Sequence, residues 1–343
     1  MKGYKLIAGI GLSLLLTSCA SEPEKPSFDT TLYDGRPVDT LTSDAPPLNE
    51  KEAITRGDIA LSRNNIDLAL YEYIRSLSFP DGQYHDKSLY NIGRIHQSRG
   101  NLELAEKAYS IALEENPNNV QVLEHLGSIY AKSGDVEQGY SYYLRALNAD
   151  QVRLNSVSTL QQDDLVKPED VEILQIDSDS PVTAYMGLGV LTDVKANHSL
   201  AQAFYKKALL IDPRSVKVQI NTGYSYYMSG DYKTALRYTL SALEKEPNNE
   251  KAQNNLALIY LSRGEIKRAI NVFMRQMEAA EALNNVGYFL ILQGHPDKAV
   301  PYLQQAIDKK PSYYKVANEN LERALAEVRA KTIEDSVDME TQQ

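Results

Sequence analysis

The chain has one cysteine, no tryptophan and five phenylalanines in 343 residues. A lone cysteine forms no intramolecular disulfide, so covalent stapling is excluded as a source of stability. Basic charge is also short: 36 Lys and Arg face 46 Asp and Glu, a formal net charge of −10. That balance argues against a nucleic-acid binder, which needs a basic face to meet phosphates. Long apolar runs are absent. Beyond residues 6–16, no stretch approaches the roughly 18 apolar residues of a membrane helix. Catalytic signatures are missing too, with neither a nucleophile elbow nor a Walker motif. The five histidines, His85, His96, His125, His198 and His295, are scattered, and none has the i, i+4 spacing of a helical zinc pair. Tyrosine, in contrast, is plentiful at 23 residues.

The N-terminus gives the cysteine a role. Met1, Lys2 and Lys5 make a basic start, and residues 6–16 have the length of a signal-peptide apolar region. Leu16-Thr17-Ser18-Cys19 then resembles the lipobox of bacterial lipoproteins. The resemblance implies cleavage of residues 1–18 and acylation of Cys19 into an anchor of several chains, where one chain would be marginal. In Gram-negative sorting an Asp after the cysteine retains a lipoprotein in the inner membrane. Ala20 stands there, which implies the outer membrane, facing the periplasm. Residues 19–48, with Pro23, Pro26, Pro37, Pro46 and Pro47, are expected to form a disordered tether with ends about 30 Å apart.

From about residue 50 a repeat of about 34 residues takes over. Its clearest copy carries Leu89, Ile92-Gly93, His96, Gly100, Ala105, Tyr109, Ala112 and Pro117. Others follow at Leu123 to Ala146, Tyr185 to Pro213, Gly223 to Pro247, Leu256 to Phe273 and Leu283 to Pro311, and a weak copy with Gly57, Ala69 and Tyr73 precedes them. The fifth strong copy runs short by about four residues. Small residues such as Gly93, Gly127, Gly189, Gly223 and Ala235 let two helices approach, and Tyr109, Tyr143, Tyr205 and Phe273 fill the space between repeats. Gly100, Gly134, Gly230, Gly264 and Gly294 fit the turn between helices. Prolines 117, 213, 247 and 311 stop the second helix. The pattern resembles the tetratricopeptide repeat (TPR). It implies an all-α solenoid of antiparallel helix pairs forming a right-handed superhelix.

Blocks of repeats are expected over 50–150 and 182–313, with an insertion, partly loop, at 151–181 that parts them. Residues 314–331 read as an amphipathic capping helix and 332–343 as a disordered tail. Asp177 and Asp179 begin like a calcium loop, but the later Gly and Glu are missing. Gly187-Leu188-Gly189 lacks the third Gly of a phosphate loop and lies inside a repeat helix. No cofactor or metal is expected, and no enzymatic activity.

The expected work is therefore protein binding. In the TPR family the inner face of the first helix lines a groove, and its sixth position is often Asn, which can hydrogen-bond a partner backbone in both senses. Those positions hold Asn91, His125, Asn221, Asn255 and Asn285, and the same face carries Tyr224, Tyr227, Asn254, Leu258 and Tyr288. Asn221, Tyr224, Tyr227, Asn254, Asn255, Leu258, Asn285 and Tyr288 are thus the candidate groove for a peptide segment or helix. Ile220 and Glu281 stand where a chaperone-binding carboxylate clamp needs Lys, so that ligand is not expected. The lipobox, the repeats and the stretch from Ala282 to Tyr288 with Leu292-Gln293-Gly294 together resemble the TadD lipoproteins of tight-adherence (Flp) pilus systems. That resemblance implies an assembly factor for a pilus secretion machine, with secretin components as partners. A type IV pilus secretin pilotin and an adaptor recruiting peptidoglycan hydrolases are the alternatives.

Overall fold

Small residues facing rings set the helix spacing. A Cβ added at Gly57, Gly93, Gly127 or Gly189 would lie within 2.7 Å of the ring of Tyr73, Tyr109, Tyr143 or Tyr205, each 16 residues later. The first helix of a pair therefore rests its backbone on an aromatic ring of the second. Leu303 takes the ring's place opposite Gly287, and Thr239 opposite Gly223.

The computed structural model describes residues 30–37, 41, 45–161, 166–310 and 312–341, with side chains to residue 332. Its helices are α1 (Glu50–Ser62), α2 (Ile66–Ser76), α3 (His85–Arg99), α4 (Leu102–Glu115), α5 (Val120–Ser133), α6 (Val136–Arg153), α7 (Pro168–Glu172), α8 (Val182–Val194), α9 (His198–Ile211), α10 (Val216–Met228), α11 (Tyr232–Lys245), α12 (Glu250–Ser262), α13 (Ile266–Phe273), α14 (Ala279–Leu292), α15 (Pro296–Asp308) and α16 (Lys315–Thr341). No strand occurs among the described residues. The fold is all-α, a solenoid of helix pairs as the repeat implied.

Among the described residues, each of the seven helix pairs turns at a residue in the left-handed region. Five are the expected glycines, Gly100, Gly134, Gly230, Gly264 and Gly294. The other two are Asn64 (φ 57°) and Ala196 (φ 59°). Alanine there costs about 1–2 kcal/mol, because its Cβ crowds the following carbonyl. Ala196→Gly is therefore expected to raise the unfolding free energy by about 1 kcal/mol, measured by denaturant titration. An unchanged or lower midpoint would contradict the strain. Asn65, Asp135, Asn197 and Asp231 follow these turns, and each accepts a backbone N–H of the next helix as its N-cap.

The chain divides into two compact units, Met1–Ile111 and Ala112–Gln343. In the first, α1 packs on α2 and α2 on α3. Residues 30–36 belong to this unit and correct one expectation, because they are not a loose tether. Thr30–Leu32 forms a 3₁₀ turn and Leu32 is fully buried. His96, also fully buried, bonds through Nε2 to the Leu32 carbonyl at 2.9 Å. Arg99 donates to Asp34 at 2.6 Å, Arg36 to Asp67 at 2.9 Å, and Lys107 to the Thr31 hydroxyl at 2.8 Å. Composition averaged over a proline-rich stretch hid one apolar anchor and its charged flanks. Leu32→Ala is expected to cost about 2–3 kcal/mol in this unit and to speed proteolysis within 30–37. Equal cleavage rates for variant and wild type would show that this strap is not bound in solution. The lipobox and Cys19 lie outside the described residues.

In the second unit the first helices of successive pairs, α5, α8, α10, α12 and α14, pack side by side. The 151–181 insertion does not part them, a second correction. α6 packs directly on α8, and the Tyr143 ring meets both Gly127 and Gly187. The insertion instead lays Leu160, Val166, Val171 and Leu174 into the core, with α7 against α9. Paired bonds hold it: Asn148 exchanges two with Leu160 and Gln151 two with Gln175. Asp177 is bound by Arg153 at 2.6 and 2.9 Å, which holds its carboxyl at about 2. That carboxylate is engaged with a guanidinium. α8 has no side-chain cap of its own, and Glu124 of α5 accepts the Ala184 N–H at 2.9 Å instead. Burial pushes the Glu124 carboxyl up to about 7, against the backbone N–H bonds that pull it down.

The C-terminal helix packs on α14 and α15, burying Ala317 and Ala324. It runs to Thr341, past the expected end of the cap at 331 and into the expected disordered tail. Residues 315–341 contain no Gly or Pro, and Ala, Glu, Arg and Lys favour continued helix.

Candidate functional site

Positions i, i+4, i+7 and i+11 share one helix face. On α10 that face carries Lys217, Asn221, Tyr224 and Met228. The corresponding residues are Thr183, Gly187, Val190 and Val194 on α8, Lys251, Asn255, Leu258 and Ser262 on α12, and Glu281, Asn285, Tyr288 and Leu292 on α14. Four rows result across adjacent helices, the last two of which together form one edge. One edge is polar, the middle row is mainly amide, and the other edge is apolar.

The apolar edge is solvent-exposed. Val190, Val194, Tyr224, Met228, Tyr288 and Leu292 are all exposed, Val194 to 70 %. Val190, Val194, Tyr224 and Met228 border one cavity, and exposed apolar groups gathered in this way are a feature of interaction sites. Leu258 is half-buried. A cavity of about 240 Å³ opens here, lined by Val190, Val194, Asn221, Tyr224 and Met228, with Asp193, His198 and Tyr205 behind. It has room for one large apolar side chain.

Asp193 fixes the cavity's floor. Its carboxylate faces His198 Nδ1 at 2.8 Å and accepts from Ser225 at 2.7 Å and Tyr205 at 3.0 Å. Burial, and then the Asp193 charge, push the Tyr205 phenol well above its ordinary value, so it stays protonated and donating. The grouping is not a catalytic triad. Ser225 donates to the carboxylate rather than to the imidazole, so no nucleophile is activated. Among the described residues, no three or more His, Cys, Asp and Glu side chains are grouped to hold a metal ion.

The structure brings the candidate residues to one unit but gives them different standing. Tyr224 and Tyr288 are exposed in the apolar row. Tyr227 is half-buried and supports Tyr224, with ring centroids 6.0 Å apart. Tyr288 rests edge-on against Phe289 at 5.6 Å. Asn254 is exposed, whereas Asn221, Asn255 and Asn285 are half-buried. Asn255 donates an amide hydrogen to the Ile220 carbonyl at 3.3 Å, and Asn285 one to Met277 Sδ at 3.2 Å. Their side chains are braced, which favours a fixed row of amides. Sequence reasoning missed Val190, Val194, Met228 and Leu292. The signal was available: Val190, Tyr224 and Leu258 recur at 34 residues, and Tyr288 follows 30 later. The shorter step reflects α13, 8 residues long where α9 and α11 have 14.

Comparison with known proteins agrees with this architecture. Tetratricopeptide-repeat family models match residues 87–119, 120–152, 220–277 and 280–313. The BBSome complex member bbs-4 of Caenorhabditis elegans is 27 % identical over 159 residues, 43 % of this chain and 33 % of that protein. The chain thus spans about a third of the length of that curated relative. Among solved structures, a chain of the APC/C hetero-tetramer Cut9–Hcn1 superposes with a TM-score of 0.50 at 15 % identity, covering 84 % of this chain and 50 % of that one. A tetratricopeptide repeat protein from Parabacteroides merdae gives 0.49 at 20 % identity, covering 80 % and 98 %. The Cut9–Hcn1 likeness supports the fold.

Proposed function

We propose that this chain, whose helix pairs match tetratricopeptide-repeat models, is a non-catalytic scaffold binding a protein segment on the face shared by α8, α10, α12 and α14. The observation that carries this reading is the exposed row Val190, Tyr224, Tyr288 with Val194, Met228 and Leu292 beside a side-chain-sized cavity. Tyrosine is enriched at binding hot spots and methionine at interfaces, and the neighbouring amides orient a partner.

The scaffold works at a membrane surface, anchored through lipidated Cys19 at the outer membrane. The support is the Leu16-Thr17-Ser18-Cys19 motif with Ala20 after it. No described helix is long and apolar enough to cross a membrane. Cys19→Ser is expected to move the protein from the membrane to the soluble fraction. Sedimentation of the variant with membranes after a high-salt wash would rule out lipid as the anchor.

The machine served is a tight-adherence pilus secretion system. Support for that lies in the lipobox together with Ala282 to Tyr288 and Leu292-Gln293-Gly294. Affinity capture from envelope extracts tests it, with the Tyr224→Ala/Tyr288→Ala chain as the control. Secretin or pilus components should be retained by wild type and lost by the control. Murein hydrolases in their place would favour the adaptor alternative.

A further inference from the structure

The polar edge of the same face adds a chemistry that the apolar row does not. Lys217 on α10 and Lys251 on α12 occupy the same repeat position and are exposed. Neither makes a hydrogen bond or ion pair with another described residue. Both line a cavity of about 580 Å³ with Ile220, Asn221 and Glu250. Asn221 borders the smaller apolar cavity as well, so the two are adjacent. The flanking helices differ. α8 has Thr183 at this position, and Glu281 of α14 is already paired with Lys310 at 3.4 Å. Positive charge is thus placed at the middle of the face, on a chain whose formal charge is −10. Glu250 sets one carboxylate against two ammonium groups.

Resting on the binding reading above, we propose that the occupant is an extended protein segment whose side chains alternate acidic and apolar, with its acidic side chains on Lys217 and Lys251. Three features fit. An extended strand points successive side chains to opposite sides, which matches a groove with one cationic and one apolar edge. Its backbone presents unpaired N–H and C=O groups to the asparagine row, whereas a helix satisfies its own. Packed helices lie about 8–10 Å apart, and same-side residues of an extended strand, two apart, are separated by about 7 Å, a difference the flexible lysine stems close. Ammonium–carboxylate contacts at such an exposed rim set encounter rate and register.

The test is selection of random twelve-residue peptides displayed through their C-termini, so that no free terminal carboxylate is offered, against the mature chain. Selected peptides are remade with amidated C-termini and titrated by fluorescence anisotropy. The expected peptides alternate Asp or Glu with large apolar residues. Their affinity should fall about tenfold in Lys217→Ala/Lys251→Ala at 50 mM salt, and that difference should shrink at 500 mM. Peptides without acidic enrichment, or unchanged binding to the double lysine variant, overturn the acidic partner. The groove itself then stands if Tyr224→Ala still weakens binding. Failure to select any peptide, or binding indifferent to both the lysines and Tyr224, overturns the groove with it.

Discussion

Tyr224→Ala combined with Met228→Ala is expected to lower affinity for the captured partner at least thirtyfold. The two side chains wall the apolar cavity on one face of α10 and are exposed in the free chain. Removing them leaves the partner's anchor without contact and admits water to the cavity. A hot-spot loss of about 2 kcal/mol corresponds to roughly thirtyfold. Tyr288→Ala, further along the row, should lose affinity by a similar mechanism. Asn255→Ala is a poorer probe because it also removes the bond to the Ile220 carbonyl. Isothermal titration with circular dichroism controls decides the matter. Wild-type affinity for the double variant would place the partner elsewhere.

Gly189→Leu is expected to destabilise the second unit by about 3 kcal/mol. A Cβ at that position would stand 2.4 Å from the Tyr205 ring. Tyr205 cannot yield easily, since it is almost fully buried and its hydroxyl bonds to Asp193. Overpacking of a filled contact costs about 1–3 kcal/mol, with the upper end expected where the obstacle is held on both sides. The same push disturbs the floor of the apolar cavity, so binding should weaken as well. Val190→Leu, one residue on but exposed, should change the denaturation midpoint little. Equal midpoints for Gly189→Leu and wild type would contradict the helix register.

The residues that made the repeats legible lie between paired helices. Gly93 with Tyr109 and Gly189 with Tyr205 repeat because a close approach tolerates few residue types. The turn after each first helix was legible for the same reason, except at Asn64 and Ala196, where non-glycine residues adopt the same geometry. The proposed binding face was legible only in part. The asparagine and tyrosine positions single out Asn221, Asn255, Tyr224 and Tyr288 as candidates, but not Val190 and Met228 in the same rows. An exposed position carries no packing constraint, so its residues vary and the apolar tendency emerges only when successive repeats are aligned. Segments outside the period were hardest to read. Leu32 is a single apolar anchor among prolines and acids, and the insertion's buried residues, Leu160, Val166, Val171 and Leu174, sustain no helical spacing over more than one turn. Their partners are distant in sequence and leave no local pattern.

The partner is proposed to lie on the α8–α10–α12–α14 face. Site-specific photocross-linking tests it most directly, with a benzophenone side chain placed at Tyr224 or Tyr288, and at Leu210 or Leu240 as controls. Leu210 on α9 and Leu240 on α11 are also exposed apolar residues but belong to the second helices of their pairs. Cross-links to the captured partner are expected from 224 and 288 and not from 210 or 240. The reverse pattern, with cross-links only from 210 or 240, would contradict the assignment of the binding face.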